Sequence, residues 1–168
     1  MITKEQFLGT VRHEIHICKH LFSKLDAGQF PYRTSEDTRS VDELLRYLTY
    51  CGIGPAESLI SADWSTVGQR AQAVAGTPIE EFPALMDRQM EEIEAVFAGL
   101  SEKDLVEQLG TLPWGEKQPL GLAMVNAVLK FLTAYRMQLF LYAKQSGCTG
   151  LKTINCWLGA DTREEVPA

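Results

Sequence analysis

The sequence predicts an all-α protein, an antiparallel four-helix bundle with short extra helices in its connections. Three observations carry this. Four long stretches repeat apolar residues at helical spacing, several of them open on a capping-box word, and no segment alternates at period two over more than a few residues. Connections of moderate length between four such helices favour antiparallel neighbours. A chain of 168 residues is long enough to build one core without staples. We therefore expect a single helical-bundle domain over 1–168, with about 160–168 as a flexible tail.

The first helix opens at Thr3-Lys-Glu-Gln6, where the Thr hydroxyl takes a backbone N–H and Gln6 reaches back. Phe7, Val11, Ile15, Cys18, Phe22 and Leu25 then form one stripe, and Ala27-Gly28 ends it. Residues 28–39 are a polar loop. Ser40-Val-Asp-Glu43 opens a second helix with Val41, Leu44, Leu48 and Cys51 inward. Pro55 lacks a backbone donor, so a kink or break is expected near 52–55 before the pattern resumes over 56–60. Residues 62–76 read as a short helix or an ordered loop.

Thr77-Pro-Ile-Glu80 is the strongest start signal in the chain, with Thr as N-cap and Pro at the first helical position. That helix runs to about Leu100, with Pro83 bending its early part. Ser101-x-x-Asp104 starts a further short helix, and 110–118 form a loop. The longest pattern follows from Leu120 to Gly147. Its apolar face gathers Val125, Val128, Leu132 and Leu139, with Phe131, Tyr135 and Tyr142 along one flank. The segment after Gly147 has low helical strength.

Composition excludes some functions. A net charge of −6 with scattered basic residues argues against nucleic acid, which needs clustered cations to displace counterions. It also disfavours an anionic membrane surface. The N-terminus has no apolar core of signal-peptide length, and Lys130 and Arg136 interrupt the most apolar stretch. Cys18, Cys51, Cys148 and Cys156 show no C-x-x-C spacing, which reads as reduced thiols in a cytoplasmic protein.

The three histidines, His13, His16 and His20, share one helical face at spacings of three and four, which suits metal chelation. The word His13-Glu14-Ile15-His16 is not the zincin H-E-x-x-H, because position 17 is Ile17. At about 100° per residue the histidines stand opposite the stripe centred near Val11 and Cys18. They are expected to face solvent or a partner, with a bound metal as the alternative. Glu14 falls at the edge of the apolar stripe. There it either meets a partner such as Tyr or Arg, or reaches to water. Gly52-x-Gly54-Pro55 follows a helix and has no third glycine, so no dinucleotide loop is present.

Three words resemble the DinB/YfiT-like superfamily of four-helix proteins. They are Tyr32-Arg-Thr with Arg39-Ser-Val-Asp-Glu-Leu-Leu-Arg-Tyr47-Leu, then Phe131-Leu-Thr-Ala-Tyr135-Arg-Met-Gln-Leu139, then the close from Gly147 to Trp157-Leu-Gly159. Members that bind a divalent metal such as Zn or Ni use one histidine on the second helix and two, four apart, on the last. The resemblance puts those positions at Tyr47, Phe131 and Tyr135, and none of them is histidine. Phe131 cannot ligate, and a phenol ligates only as a phenolate, which its high pKa disfavours.

The expectation is therefore a DinB-like protein with a degenerate metal site and no cofactor, binding a small molecule or a partner. Glu14, Tyr47, Phe131, Tyr135 and Arg136 are the pocket candidates, with Glu14 or Arg136 at the mouth. The resemblance further implies a homodimer. The alternative is a metal-dependent hydrolase or thiol S-transferase with ligands relocated to His13, His16 and His20. Whether the chain is an enzyme at all stays open at this point.

Overall fold

The computed structural model describes residues 3–165. Helix α1 (Lys4–Phe22) starts where expected: Thr3 Oγ1 accepts from Gln6 N and Gln6 Oε1 accepts from Thr3 N. It stops at Phe22 rather than Leu25. The same reciprocal cap opens α2 (Val41–Leu48), with Ser40 and Glu43 as partners at 2.7 and 3.2 Å. The chain breaks at 49–52 and resumes as α3 (Ile53–Ser61), which places Pro55 in a first turn, where its missing donor has no intrahelical partner to lose.

A side chain from elsewhere splints this break. Gln89 is 1% exposed; its Oε1 accepts from Gly52 N (2.8 Å) and Ile53 N (3.2 Å), and its Nε2 donates to Leu48 O (2.9 Å). The orphan groups of two helix ends are thus satisfied by one buried amide.

Helix α4 (Ser65–Val74) occupies the ambiguous stretch. The Thr77 cap is a correction: Ile79–Glu81 form a 3₁₀ turn, and α5 (Phe82–Ala98) begins only at Phe82. Pro83 then lies at the helix start, where φ is already suitable and no hydrogen bond is lost, so it need not bend the helix. Ser101 and Asp104 cap α6 (Glu102–Glu107).

The loop over 110–118 is a second correction. Residues Leu109–Thr111 (β1) and Lys117–Pro119 (β2) pair antiparallel, Leu109 opposite Pro119 and Thr111 opposite Lys117. Strands of three residues are too short to show a period, and the turn relies on Gly115 at φ +90°. The long C-terminal pattern is also not one regular helix. Helix α7 (Leu120–Met124) passes through a π turn (Val125–Leu129) into α8 (Lys130–Gln145), so the helix faces shift between the two halves.

Helix α9 (Thr153–Leu158) follows in a segment expected to have little helical strength. Ala160 is 3% exposed, and Asp161 contacts Lys24 and Asn155. The remainder of the expected tail, 166–168, lies outside the described residues.

The apolar faces of α1, α2, α3, α5, α7 and α8 close on one continuous cluster that includes Val11, Cys18, Leu21, Leu44, Leu48, Ile93, Leu132 and Leu139. Burying each such aliphatic side chain contributes roughly 1.5–3 kcal/mol. Helix α1 packs on α5 and α8, α2 on α8, α3 on α4 and α5, and α9 on α1. Among the described residues no helix is long and apolar enough to cross a membrane.

Candidate functional site

The five pocket candidates do not meet in one cavity; α8 distributes them to different neighbours. Arg136 lies at i+4 from Leu132 and i−3 from Leu139, on the buried stripe itself, and is 0% exposed. That corrects its expected place at a pocket mouth. Glu14 lies at i+3 from Val11 and i−4 from Cys18 and is likewise buried. The two charges meet between α1 and α8, Arg136 Nε donating to Glu14 Oε2 at 2.9 Å. Of the two outcomes open for Glu14, the arginine partner is the one found.

The remaining guanidinium face is closed by α9. Arg136 Nη1 donates to the Cys156 carbonyl at 3.0 Å and lies 3.2 Å from Cys156 Sγ, and its Cζ stands 4.9 Å from the Trp157 ring centre. Burial alone would lower the pKa of this arginine, but the Glu14 carboxylate beside it outweighs burial and raises it. Burial likewise pushes the Cys156 thiol up, against the opposing pull of Arg136.

The histidines stand at the surface, His13 and His16 exposed and His20 half-buried, and each touches this chain's own C-terminal segment. His13 Nε2 is 2.8 Å from the Trp157 carbonyl and His16 Nε2 is 3.0 Å from the Gly159 carbonyl. His20 Nε2 is 3.0 Å from Asn155 Nδ2. A carbonyl can only accept, so His13 and His16 donate through Nε2 and that atom carries a proton. Asn155 Nδ2 is a donor only, and its two N–H groups are shared among the Ala160 carbonyl, Asp161 Oδ1 and His20 Nε2, which accepts in its neutral form. Burial, reinforced by the Lys24 ammonium, lowers the His20 pKa.

Gly159 in the Trp-x-Gly word has a physical role here. Its φ is +62°, and a Cβ on it would sit 2.7 Å from His16 Cδ2, so both backbone and space require glycine. Among the described residues no group of three His, Cys, Asp or Glu side chains is arranged to hold a metal ion.

On the other side of α8, Tyr135 meets Tyr47 of α2 edge to face, ring centres 4.6 Å apart. Tyr50 stands edge-on to Tyr47 at 5.2 Å. Above them lies a residue outside the sequence-derived set: Arg39 Cζ is 4.2 Å from the Tyr47 ring centre and 5.6 Å from that of Tyr135. Such contacts are cation–π pairs, attractive by about 0.5–2 kcal/mol. Its place at the head of the Arg39-to-Leu48 word was the only signal, and nothing in spacing marks it. Burial first, then the neighbouring Cys51 and Tyr135, raise the Tyr47 pKa well above the ordinary phenol value. Phe131 is half-buried and is not among the side chains packed on the main core cluster.

The residues at the three positions where the resemblance implies metal ligands therefore do not fit a metal. Phe131 has no donor atom, Tyr47 is held in its neutral form, and Tyr47 and Tyr135 are in van der Waals contact with each other.

An all-α chain with this order of elements, a long C-terminal helix and a short closing helix behind it has a DinB-like fold. A protein it resembles in three dimensions is YjoA of Bacillus subtilis, a DinB-like protein of known crystal structure. The match has a TM-score of 0.63 and covers 84% of this chain and 92% of that one, at 16% sequence identity. At that identity the likeness concerns the fold. No protein-family model matches the chain, and no curated protein does.

Proposed function

We propose that this chain is a single four-helix-bundle domain of DinB-like type that has lost the three-histidine metal site and serves as a small-molecule binding or interaction module. The observation that carries the reading is the contact between Tyr47 and Tyr135, ring centres 4.6 Å apart, at two of the three ligand positions. Two phenol rings in contact, capped by a guanidinium, occupy volume that a cation and its water would need. A positive charge already at that place also opposes a second cation.

The relocated-ligand alternative, a hydrolase or thiol S-transferase, needs the ring nitrogens of His13, His16 and His20. Each Nε2 is engaged by the C-terminal segment, so that reading gains no support from their geometry. A homodimer remains part of the proposal on the resemblance alone, and a cytoplasmic location on the cysteine spacing.

Elemental analysis of tag-free protein tests this reading. The expected result is sub-stoichiometric Zn and Ni after mild chelation. One equivalent of a transition metal per chain that survives chelation would overturn it.

A further inference from the structure

The groove outside Arg39 identifies the kind of ligand such a module would take, an inference that rests on the metal-free reading above. Three arginines line this groove, and two have their donors engaged. Arg33 pairs with Glu43 at 3.3 Å and reaches the Thr38 carbonyl; Arg46 holds Asp42 at 2.9 Å and donates to the Thr77 carbonyl at 2.7 Å. Arg39 has no carboxylate within 4.0 Å and no hydrogen-bond acceptor among the described residues. Its exposed side chain instead lays the guanidinium over the ring of Tyr47, with Tyr135 farther off.

A guanidinium whose N–H groups have no acceptor within the chain can hydrogen-bond a carboxylate in bidentate fashion. It faces a groove of about 510 Å³ that Tyr50 and Val74 line on the apolar side. A volume in the range of roughly 300–1,000 Å³ suits a small molecule. The same walls carry Glu36, Asp37 and Glu43. The Ser40 backbone N–H, then Arg33, hold the Glu43 carboxyl below the usual carboxylate range, so it is charged at neutral pH. Those carboxylates penalise a dianion more than a monoanion.

We propose that Arg39, stacked over Tyr47 and Tyr135, binds a small monocarboxylate whose apolar body lies against Tyr50 and Val74. This cation stands beside the positions where the resemblance implies a metal, and it offers hydrogen bonds where a metal would offer coordination.

The test is nitrogen-15 NMR of the arginine Nε–Hε resonances in chelator-treated protein, titrated with benzoate, acetate and inorganic phosphate. Benzoate is expected to shift the Arg39 resonance saturably, acetate more weakly, and phosphate at least about tenfold more weakly than benzoate. In the variants binding is read on the backbone amides of Tyr50 and Val74, which line the groove, and Arg39→Gln should weaken benzoate binding at least tenfold without changing the folded spectrum. Arg39→Lys, which keeps the charge but not the fork, should fall between. Arg12→Gln, which removes an exposed pair with Glu94 on α5, should leave binding unchanged.

No saturable shift, an undiminished response in Arg39→Gln, or phosphate binding as tight as benzoate would each overturn the proposal. The same titration is repeated on protein not treated with chelator: a benzoate response that survives Arg39→Gln there and is lost on chelation would place the ligand on a metal. In that case the metal-free reading falls too, so the two failures are distinguishable.

Discussion

The buried pair of Glu14 and Arg136 is the costliest residue-level feature of this fold. Neither charge reaches bulk water to any useful extent, their side chains being 9% and 0% exposed. Removing one partner leaves the other buried and unpaired, at a cost of about 3–5 kcal/mol, whereas replacing both by apolar groups is often neutral. Glu14→Ala should therefore lower unfolding stability in urea by about 3 kcal/mol or more. Glu14→Leu combined with Arg136→Met should recover most of that loss, offset by about 1–3 kcal/mol for the Cys156 carbonyl left without its donor. Two single losses that simply add in the double variant would show that the pair is not coupled. Both residues were legible in principle, since each sits at i±3 and i±4 from the apolar stripe of its own helix. Charge disguised them as rim residues, and only tertiary packing reveals that each covers the other.

At the scale of the element, α9 and the turn after it are held on α1 by three histidines, and one of these links docking to pH. His20 has a folded pKa below its unfolded value, so the unfolded or undocked state binds more protons below the ordinary histidine pKa of about 6.5. The sign follows: the contribution of this contact is complete above about pH 6.5 and is lost as pH falls toward the depressed folded value. The groups facing the ring are Lys24, Asp161, His16 and Glu165. Protonation sets an N–H of His20 against the N–H of Asn155, and the carboxylates of Asp161, at 3.7 Å, and Glu165 compensate in part. His13 and His16 already donate to carbonyls, so protonation does not break their bonds. Protection factors at the α9 amides, exchange rates corrected for the intrinsic rate at each pH, should fall between about pH 6.5 and 5, while those in the middle of α1 and α8 stay high. A His20→Gln variant should lose that pH dependence; identical pH dependence in the variant would locate the proton elsewhere. Capping words foretold α1, α2 and α6, because those starts are local chemistry. The Thr77 start failed because Phe82 is fully buried and sets where α5 begins, and the π turn left no trace in spacing that a wheel can read.

For the whole molecule, the order of stability among its parts follows from which contacts are local and which belong to the shared core. The all-α fold was legible because four long apolar stripes need one another. The separation of the candidate residues into two sites was not, since it depends on which neighbour each side of α8 meets. The four thiols report on this hierarchy. Cys18 and Cys51 are 0% exposed at the centre of the core, and burial raises both pKa values. Cys156 is 2% exposed, but what covers it is α9 itself and the α1–α8 seam. Cys148 is half-buried at the end of α8, with its sulfur 3.0 Å from the Lys24 carbonyl. Local opening costs less free energy than global unfolding, which for a domain of this size is of the order of 5–15 kcal/mol. Pulsed alkylation read by mass spectrometry should therefore modify Cys148 first. Cys156 should follow, at a rate at least about tenfold above that of Cys18 and Cys51. Those two should react only as fast as the whole chain unfolds. Because α9 docking weakens as His20 takes a proton, lowering the pH from 7 to 5.5, after correction for thiolate fraction, should raise the relative rate of Cys156 alone. Equal rates for Cys156 and Cys18 under native conditions would mean that the C-terminal segment unfolds only with the core, and the histidine contacts would then be part of one cooperative unit.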